Sequence, residues 1–199
     1  MTARHDFTIR QGATFNPVLL YSQSTFTVKA VTGITKSGRA VVSCVHGLTR
    51  DWPVYVVGAV GMDKINHKSD DLKIPAKAYL ARYVDASSLR LEVDSSRFGA
   101  YESGGEIMYH PPMDLTGYTA RMHIRDEVDS SATIATLTTV NGGITLGATA
   151  GTIELLISAT DTAAFTVTSA VYDLEVISGA GKVTTLLEGA ITLTNEVTR

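Results

Sequence analysis

Two histidines and an aspartate in one stretch of the sequence have side chains that bind metals or transfer protons. They are His110, Asp114 and His123, and they lie between residues 102 and 125. Compact metal-binding patterns place ligands close together, as in His-x-His or Cys-x-x-Cys, and this stretch has neither spacing. His110 stands directly before the double proline at 111–112, and a residue before proline is held in extended backbone. We interpret the stretch as a stiff connector between two pieces of structure, and we predict no metal site.

Cys44 and His46 are the other pair of residue types that could do catalysis. They lie two residues apart on a predicted strand, so their side chains share one face at a backbone separation of about 7 Å. A Cys–His nucleophile needs direct contact between the two groups and a third group that orients the imidazole. A buried cysteine on a strand explains this pattern better, so we predict no catalytic residue.

The segment GAGK at residues 179–182 resembles part of a phosphate-binding loop. The full motif needs a glycine where Val176 stands and a serine or threonine where Val183 stands. It also opens a helix, whereas this segment joins two predicted strands, and we therefore predict a hairpin turn. The paired carboxylates of a glycoside hydrolase are not identifiable either. No enzyme activity and no cofactor are predicted.

Charged residues on two predicted strands form a candidate interaction surface. Arg121, His123 and Arg125 alternate with apolar residues on one strand, and Asp173 and Glu175 do so on another. If the two strands are neighbours, these side chains form cross-strand pairs on an outer face. Such a face is either an ordinary solvated surface or a polar contact surface in an assembly.

Aromatic side chains are the second candidate for an interaction surface. Aromatic residues make up only 7% of the chain, and Trp52, Tyr55 and Tyr101 are the few that are available for an exposed platform. Such a platform would serve a protein interface or bind a carbohydrate.

The composition excludes several functional classes. Apolar residues make up 44% of the chain, charged residues 19%, and the net charge is −3. This is a globular composition without the concentrated basic face that nucleic-acid binding needs. No apolar run approaches the roughly 20 residues that cross a bilayer, and the N-terminus has no secretory signal. Cys44 is the single cysteine, so no internal disulfide forms, which fits folding in a reducing cytoplasm.

Short strands separated by glycine-containing turns are predicted along most of the chain. In the C-terminal half they span residues 118–125, 133–140, 144–146, 151–157, 171–177, 183–187 and 190–197. One short helix is predicted after Ser158, because Ser-Ala-Thr-Asp is a capping-box-like start. The fold class is therefore all-β.

The predicted strands become shorter and more irregular in the first half of the chain, which indicates an inserted module. Residues 7–10 and 16–21 read as strands like those of the C-terminal half. Shorter pieces follow at 39–46, 53–57, 78–84 and 88–93, with a polar loop at 63–77. We predict that residues 1–29 and 109–199 form a discontinuous immunoglobulin-like β-sandwich with one short helix. Residues 30–108 are predicted to form an inserted small β-barrel.

Residues 40–105 resemble a small β-barrel module found in many bacteriophage tail proteins. That module is named for its similarity to the first catalytic-cysteine half-domain of ubiquitin-activating enzymes. The matching segments are HGL at 46–48, VYV at 54–56, VGM at 60–62, IN at 65–66, LRL at 89–91 and FGAYESGG at 98–105. In this chain RDWP at 50–53 replaces the module's usual glycine-containing turn, and the segment at 68–77 is longer and more polar than the module leads us to expect. The resemblance implies a fold and no ubiquitin chemistry.

The flanks, residues 7–21 and 114–198, resemble the N-terminal domain of phage baseplate upper proteins and related tail-fibre adaptors. The matching segments are DFTIRQG at 6–12, DLTGY at 114–118, YDLE at 172–175, LEGAI at 187–191 and EVT at 196–198. This resemblance implies a structural role in a virion tail or baseplate, after folding in the cytoplasm of the host bacterium.

The expected partners are other tail, baseplate or fibre proteins and further copies of the chain in three-fold or six-fold symmetry, without nucleic acid or membrane. Since the chain ends at Arg199 directly after the second flank, we expect an adaptor or spoke without a fibre shaft. The alternative is a module that binds carbohydrate or the host surface.

Overall fold

The computed structural model describes residues 2–195 and forms, within them, sixteen β-strands and one short α-helix. The strands are β1 (Ala3–Arg4), β2 (Phe7–Arg10), β3 (Val18–Leu20), β4 (Thr27–Ala30), β5 (Gly33–Ile34), β6 (Val41–Ser43), β7 (Trp52–Val60), β8 (Tyr79–Asp85), β9 (Ser88–Arg90), β10 (Ser103–Tyr109), β11 (Thr119–Arg125), β12 (Ala135–Thr138), β13 (Ile144–Leu146), β14 (Thr152–Leu155), β15 (Ser169–Ile177) and β16 (Val183–Thr194). The helix is α1 (Ala159–Ala163). The predicted all-β fold class is confirmed. No helix among the described residues is long and apolar enough to cross a membrane.

The chain divides into two compact units. The sandwich unit combines the chain up to Tyr21 with the chain from Pro112 onward, and the barrel unit is Ser22–Pro111. The predicted boundaries, after residue 29 and after residue 108, differ from these. The physical reason is that β4 pairs with β10 along its whole length, which brings residues 22–29 into the barrel unit.

Two sheets form the sandwich unit. The larger has the strand order β1-β16-β15-β11-β12, with β2 also paired to β16, and the smaller has the order β13-β14-β3. Most pairs are antiparallel, but β1 and β2 run parallel to β16. Parallel neighbours need a long connection, and here nearly the whole chain separates the two partners.

β16 is one strand of 12 residues where the sequence indicated two strands, at 183–187 and 190–197. Gly189, between those two stretches, continues the pairing by facing Tyr172 of β15. Residues 196 and 197 of the predicted strand, and the EVT segment at 196–198, lie outside the described residues.

Alternation along the strands places the sandwich core between the two sheets. Ala120, Met122 and Ile124 of β11 are buried, as are Leu174 and Val176 of β15. They pack against side chains of the smaller sheet, as the predicted period of two requires.

The predicted helix start is also confirmed. The Ser158 hydroxyl accepts a 3.1 Å hydrogen bond from the Asp161 N–H at the N-terminus of α1. The hydroxyl also donates to the Asp161 carboxylate at 2.7 Å. The helix has five residues and lies in the connection from β14 of the smaller sheet to β15 of the larger one.

The barrel unit is a closed sheet. Its strand order is β4-β10-β7-β8-β9-β6-β5, and its two end strands, β4 and β5, follow each other in the chain. Residues 27–34 therefore pair with β10 at one end and with β6 at the other. Between them the Val31 N–H donates to the Gly105 carbonyl at 2.9 Å, and the Thr32 N–H to the Ser43 carbonyl at 2.8 Å. Closure leaves no open edge at this seam.

The polar segment at 63–77 is a loop with three short 3₁₀ turns, as its sequence predicted. It covers a part of β7 that has no strand neighbour on that side. The Asn66 side-chain amide bonds both the N–H and the carbonyl of Ala59, each at 2.9 Å. In this way one side chain makes the two backbone hydrogen bonds that a neighbouring strand would otherwise make at Ala59.

Candidate interaction surface

The outer face of the larger sandwich sheet holds the charges that the sequence singled out. β11 and β15 are antiparallel neighbours, and Arg121 lies directly opposite Glu175. The Arg121 Nε atom is 2.6 Å from Glu175 Oε2, so the cross-strand pair is formed. Exposed pairs of this kind typically contribute less than about 1 kcal/mol, so this contact orients the two side chains more than it stabilises the fold.

The other charges on these strands are used differently. His123 lies opposite Asp173, whereas Arg125 lies opposite the apolar Val171. The Arg125 guanidinium turns to the loop that follows β11 and donates to the carbonyls of Ser130 and Ala132. Arg125 therefore binds the backbone of this loop, and it forms no ion pair with Asp173 among the described residues.

Sequence reasoning missed two residues of the same face. Glu188 of β16 lies directly opposite Asp173, and Arg4 of β1 lies opposite Glu188. The adjacent carboxylates repel each other, which destabilises the isolated sheet. The motif LEGAI already contained Glu188, but only the pairing of β15 with β16 brings it beside Asp173.

These side chains surround a depression of about 580 Å³ in the outer face. Its lining includes Val171, Gly189 and Ala190, which are half-buried, and Asp173 and Glu188, which are exposed. We call this region, together with the loop at 126–129, the acidic depression.

The loop at 126–129 adds three carboxylates, from Asp126, Glu127 and Asp129, and all three residues are exposed. A hydrogen bond from Ser130 holds the pKa of the Asp126 carboxyl below its ordinary value. Val128 stands among these acids, lines the depression and is 79% exposed.

The barrel unit carries a surface of opposite sign. Arg82 of β8 lies directly opposite Arg90 of β9. Glu92 is 3.1 Å from Arg39 and 3.5 Å from Arg90, and Asp51 is 2.7 Å from Arg82. The hydrogen bond from Arg82 lowers the pKa of the Asp51 carboxyl.

The charge of Arg50 also lowers the pKa of the Asp51 carboxyl. With Arg50, this group has four arginines against two carboxylates. We call the region of Arg39, Arg50, Arg82 and Arg90 the arginine surface. In the sequence, the outward alternation of Arg90 and Glu92 was its visible signal.

The three aromatic residues that the sequence offered for an exposed platform do not form one. Trp52 and Tyr55 are only 2% and 3% exposed. The Trp52 indole donates to the His110 carbonyl at 2.7 Å, and the Tyr55 hydroxyl to the Ile74 carbonyl at 3.1 Å. Tyr101 is half-buried, and its hydroxyl bonds the Gly104 carbonyl at 2.9 Å. These rings close the barrel and its loop because amphipathic aromatics bury their ring and bond their polar end.

Cys44 and His46 are structural residues of the barrel. Burial raises the pKa of the Cys44 thiol to about 11, which keeps it protonated and unreactive near neutral pH. The His46 Nδ1 atom accepts from the Leu48 N–H at 3.0 Å, so Nε2 carries the proton and donates to the Asp85 carbonyl at 2.7 Å. Both ring nitrogens are occupied by backbone, which leaves no base for a nucleophile.

His67, which the sequence did not single out, is also bonded to backbone groups through both ring nitrogens. Its Nδ1 accepts from the Val56 N–H at 3.1 Å, and its Nε2 bonds the Lys77 carbonyl at 2.8 Å. His67 therefore fastens both ends of the 63–77 loop region to β7. A polar loop with a single histidine gave no pattern that could distinguish this role.

The remaining candidates have plain structural roles. His110 belongs to the barrel unit, whereas Asp114 and His123 belong to the sandwich unit. Among residues 2–195, no group of three or more histidine, cysteine or acidic side chains is arranged to hold a metal ion. The GAGK segment forms the predicted hairpin turn between β15 and β16, closed by a 3.0 Å bond from the Ser178 N–H to the Lys182 carbonyl.

Comparison of the sequence with protein-family models finds no match, and a search of curated proteins finds none either.

Proposed function

We propose that this protein is a non-enzymatic structural component of a bacteriophage tail or baseplate. It acts as an adaptor or spoke that links the tail to fibres or to neighbouring ring proteins. It folds in the bacterial cytoplasm and is then incorporated into the virion tail, in a homo-oligomer of three-fold or six-fold symmetry.

The observation that carries this proposal is the meeting of the two ends of the sandwich unit. The DFTIRQG segment, which contributes β2, pairs in parallel with β16 from Ile191, the last residue of the LEGAI segment, onward. The two segments, each of which resembles a part of tail adaptors, thus pair with each other in the folded chain. The closed barrel lies in the chain between the two flanks.

The sites favour a binding role over catalysis. Both nitrogens of His46 are bonded to backbone and the Cys44 thiol is protonated. The charged residues of the two surfaces lie on the outer faces of rigid sheets, where they suit contacts between proteins. Two compact units in one chain also suit a protein that must hold two partners at once.

Analysis of phage particles tests this role. Particles are purified from induced cells that carry the gene, and tails are separated from heads before peptides are identified by mass spectrometry. We expect the protein in the tail fraction at a constant number of copies per particle. Particles from a deletion strain should lack fibres or a complete baseplate. Normal, infectious particles from the deletion strain, without the protein in wild-type tails, would contradict the proposal.

Carbohydrate binding, the alternative, has lost its main support because Trp52 and Tyr55 are buried. A glycan array with the purified protein distinguishes the two functions. Specific binding to one glycan class would replace the adaptor role with a host-surface role.

A further inference from the structure

The two units carry charges of opposite sign. The sandwich unit has 11 aspartates and glutamates against six lysines and arginines, for a net charge of −5. The barrel unit has 11 lysines and arginines against nine acidic residues, for a net charge of +2. The chain's total of −3 therefore hides a division that favours contact between unlike units of different copies.

Each unit concentrates its excess charge at one place. On the arginine surface, Arg82 and Arg90 are directly opposite each other on neighbouring strands. In the acidic depression, Asp173 and Glu188 are directly opposite each other in the same way. Like charges in register destabilise a sheet. Asp51 and Glu92 already relieve the arginine pair in part, whereas the pair of Asp173 and Glu188 has no ion-pair partner among the described residues and would be relieved by the opposite charge of a partner.

The acidic depression stays acidic when its own bases are counted. Five carboxylates, from the loop at 126–129 and from Asp173 and Glu188, stand against two arginines, Arg4 and Arg125, and one histidine, His123, which lies opposite Asp173. Arg125 is engaged with the carbonyls of its loop, and Arg4 is 3.8 Å from Asp6. Neither Asp173 nor Glu188 forms an ion pair among the described residues.

Both surfaces also expose apolar side chains beside their charges. Val128 lines the acidic depression together with Val171 and Ala190. On the barrel unit, Leu80 lies two residues before Arg82 on β8, on the same face of the strand, and is 46% exposed. An apolar contact surrounded by complementary charges is the usual composition of a specific protein interface.

We propose that the acidic depression of one copy binds the arginine surface of a second copy of the same chain. The contact joins two different surfaces, so it is heterologous, and repeated contacts of this type build rings or open chains of copies. This inference deepens the proposed structural role, on which it rests for its biological sense, because it names the neighbouring copy as the partner and the two surfaces that meet.

The test uses two full-length variants, each with one surface reversed. The first is Arg82→Glu with Arg90→Glu, and the second is Asp173→Lys with Glu188→Lys. If the contact is heterologous, each variant alone loses association because it lacks one of the two required surfaces. In an equimolar mixture, the intact depression of the first binds the intact arginine surface of the second. The mixture should then form complexes of two or more chains, because the two reversed surfaces are again opposite in sign to each other.

Sedimentation velocity of the purified proteins measures these states. For the wild type we expect association that rises with concentration and weakens at least tenfold between about 0.01 M and about 1 M salt, where screening is strong. Control variants reverse charges elsewhere on the same units: Lys73→Glu on the barrel loop and Glu154→Lys on the smaller sandwich sheet. Both residues are exposed, and both variants should associate like the wild type.

Folding of each variant is verified by circular dichroism and thermal unfolding. Because Arg82→Glu places a second carboxylate beside Asp51, the neutral pair Arg82→Gln with Arg90→Gln is a second version of the first variant. A wild type that stays monomeric at low salt would overturn the proposal. Undiminished association of the reversed variants, or a mixture without such complexes, would overturn it as well. Such results leave the presence of the protein in virion tails untouched, so the two proposals fail separately.

Discussion

The Asp6 carboxylate accepts a 2.8 Å hydrogen bond from the backbone N–H of Ala190, which lies 184 positions further along the chain. At this point the N-terminal segment passes from its pairing with Leu187 and Glu188 to its pairing with β16 beyond residue 190. The carboxylate replaces a ladder bond at the break between β1 and β2, and so the two ends of the sandwich unit are joined across a gap in the strand.

Gly189 should be essential at this junction. A Cβ atom at this position would lie 2.0 Å from the His5 carbonyl oxygen, which is backbone and cannot rotate away. We expect Gly189→Ala to lower the free energy of unfolding by about 2 kcal/mol, in the range for overpacked sites. Chemical denaturation followed by circular dichroism measures the change.

The matched control for Gly189 is Gly179→Ala in the β15–β16 turn, where a Cβ would meet its nearest atom at an ordinary 3.5 Å. Equal stability of the two variants would show that the N-terminal strand is not held against Gly189.

His46 should be needed for the barrel and not for chemistry. Its ring bonds the Leu48 N–H and the Asp85 carbonyl while fully buried. His46→Ala leaves the buried Leu48 N–H and the partly buried Asp85 carbonyl without their partner and opens a cavity, and we expect a loss of about 2–4 kcal/mol in barrel stability. Fluorescence of Trp52, the only tryptophan, reports unfolding of this unit. The exposed His5 is the control, because His5→Ala should leave the Trp52 transition unchanged.

Cys44 should react only slowly with thiol reagents in the folded protein. Its pKa is raised to about 11, so its thiolate fraction near pH 8 is about a hundredfold below that of a free cysteine. We expect alkylation by iodoacetamide to be slow in native buffer and fast in denaturant, followed by mass spectrometry.

The same shift has a consequence for stability at high pH. Because the folded state favours the protonated thiol, the contribution of Cys44 is complete below the ordinary thiol pKa of about 8.5. It is lost as the pH rises toward about 11. Cys44→Ala should therefore flatten the alkaline loss of barrel stability; a variant with an unchanged alkaline profile would contradict this assignment.

Asn141 should protect the edge of β12. Its side-chain oxygen accepts from the Thr138 N–H at 2.8 Å, and its side-chain nitrogen donates to the Thr136 carbonyl at 2.8 Å. Removing both bonds in Asn141→Ala should lower stability by about 1–2 kcal/mol and expose the edge to other chains.

Light scattering on incubation at moderate temperature detects the resulting aggregation. Asn141→Asp retains the acceptor and loses the donor, so we expect an intermediate effect. If the alanine variant aggregates no faster than the wild type, the edge is protected in another way.

The sandwich unit should fold without the barrel unit. The Met113 N–H donates to the Tyr21 carbonyl at 2.9 Å, so the two ends of the interrupted sandwich already lie side by side. Replacing residues 23–111 with a Gly/Ser linker of about four residues spans this gap as a hairpin loop does. We expect one cooperative unfolding transition by circular dichroism. A molten product, with a separately expressed barrel unit that also fails to fold, would refute the independence of the units.

Local patterns in the sequence predicted much of this protein correctly, because they depend on neighbouring residues. Alternation placed Met122 in the core and Arg121 outside, and the serine at 158 marked the start of the helix. The glycine-rich segment at 179–182 was recognised as a turn because a motif for phosphate binding requires residues that are absent. These inferences need only the geometry of a strand, a cap or a turn.

The tertiary structure decided which strands meet and which side chains become buried. The pairing of Arg4 with Glu188 requires β1 and β16 to come together from opposite ends of the chain. Trp52 is buried because residues 27–34 close the barrel around it, and nothing near position 52 announces that closure. Composition and period determined an all-β chain with charged outer faces. Long-range pairing determined where those charges collect, because contacts between distant segments leave no periodic signal in either segment alone.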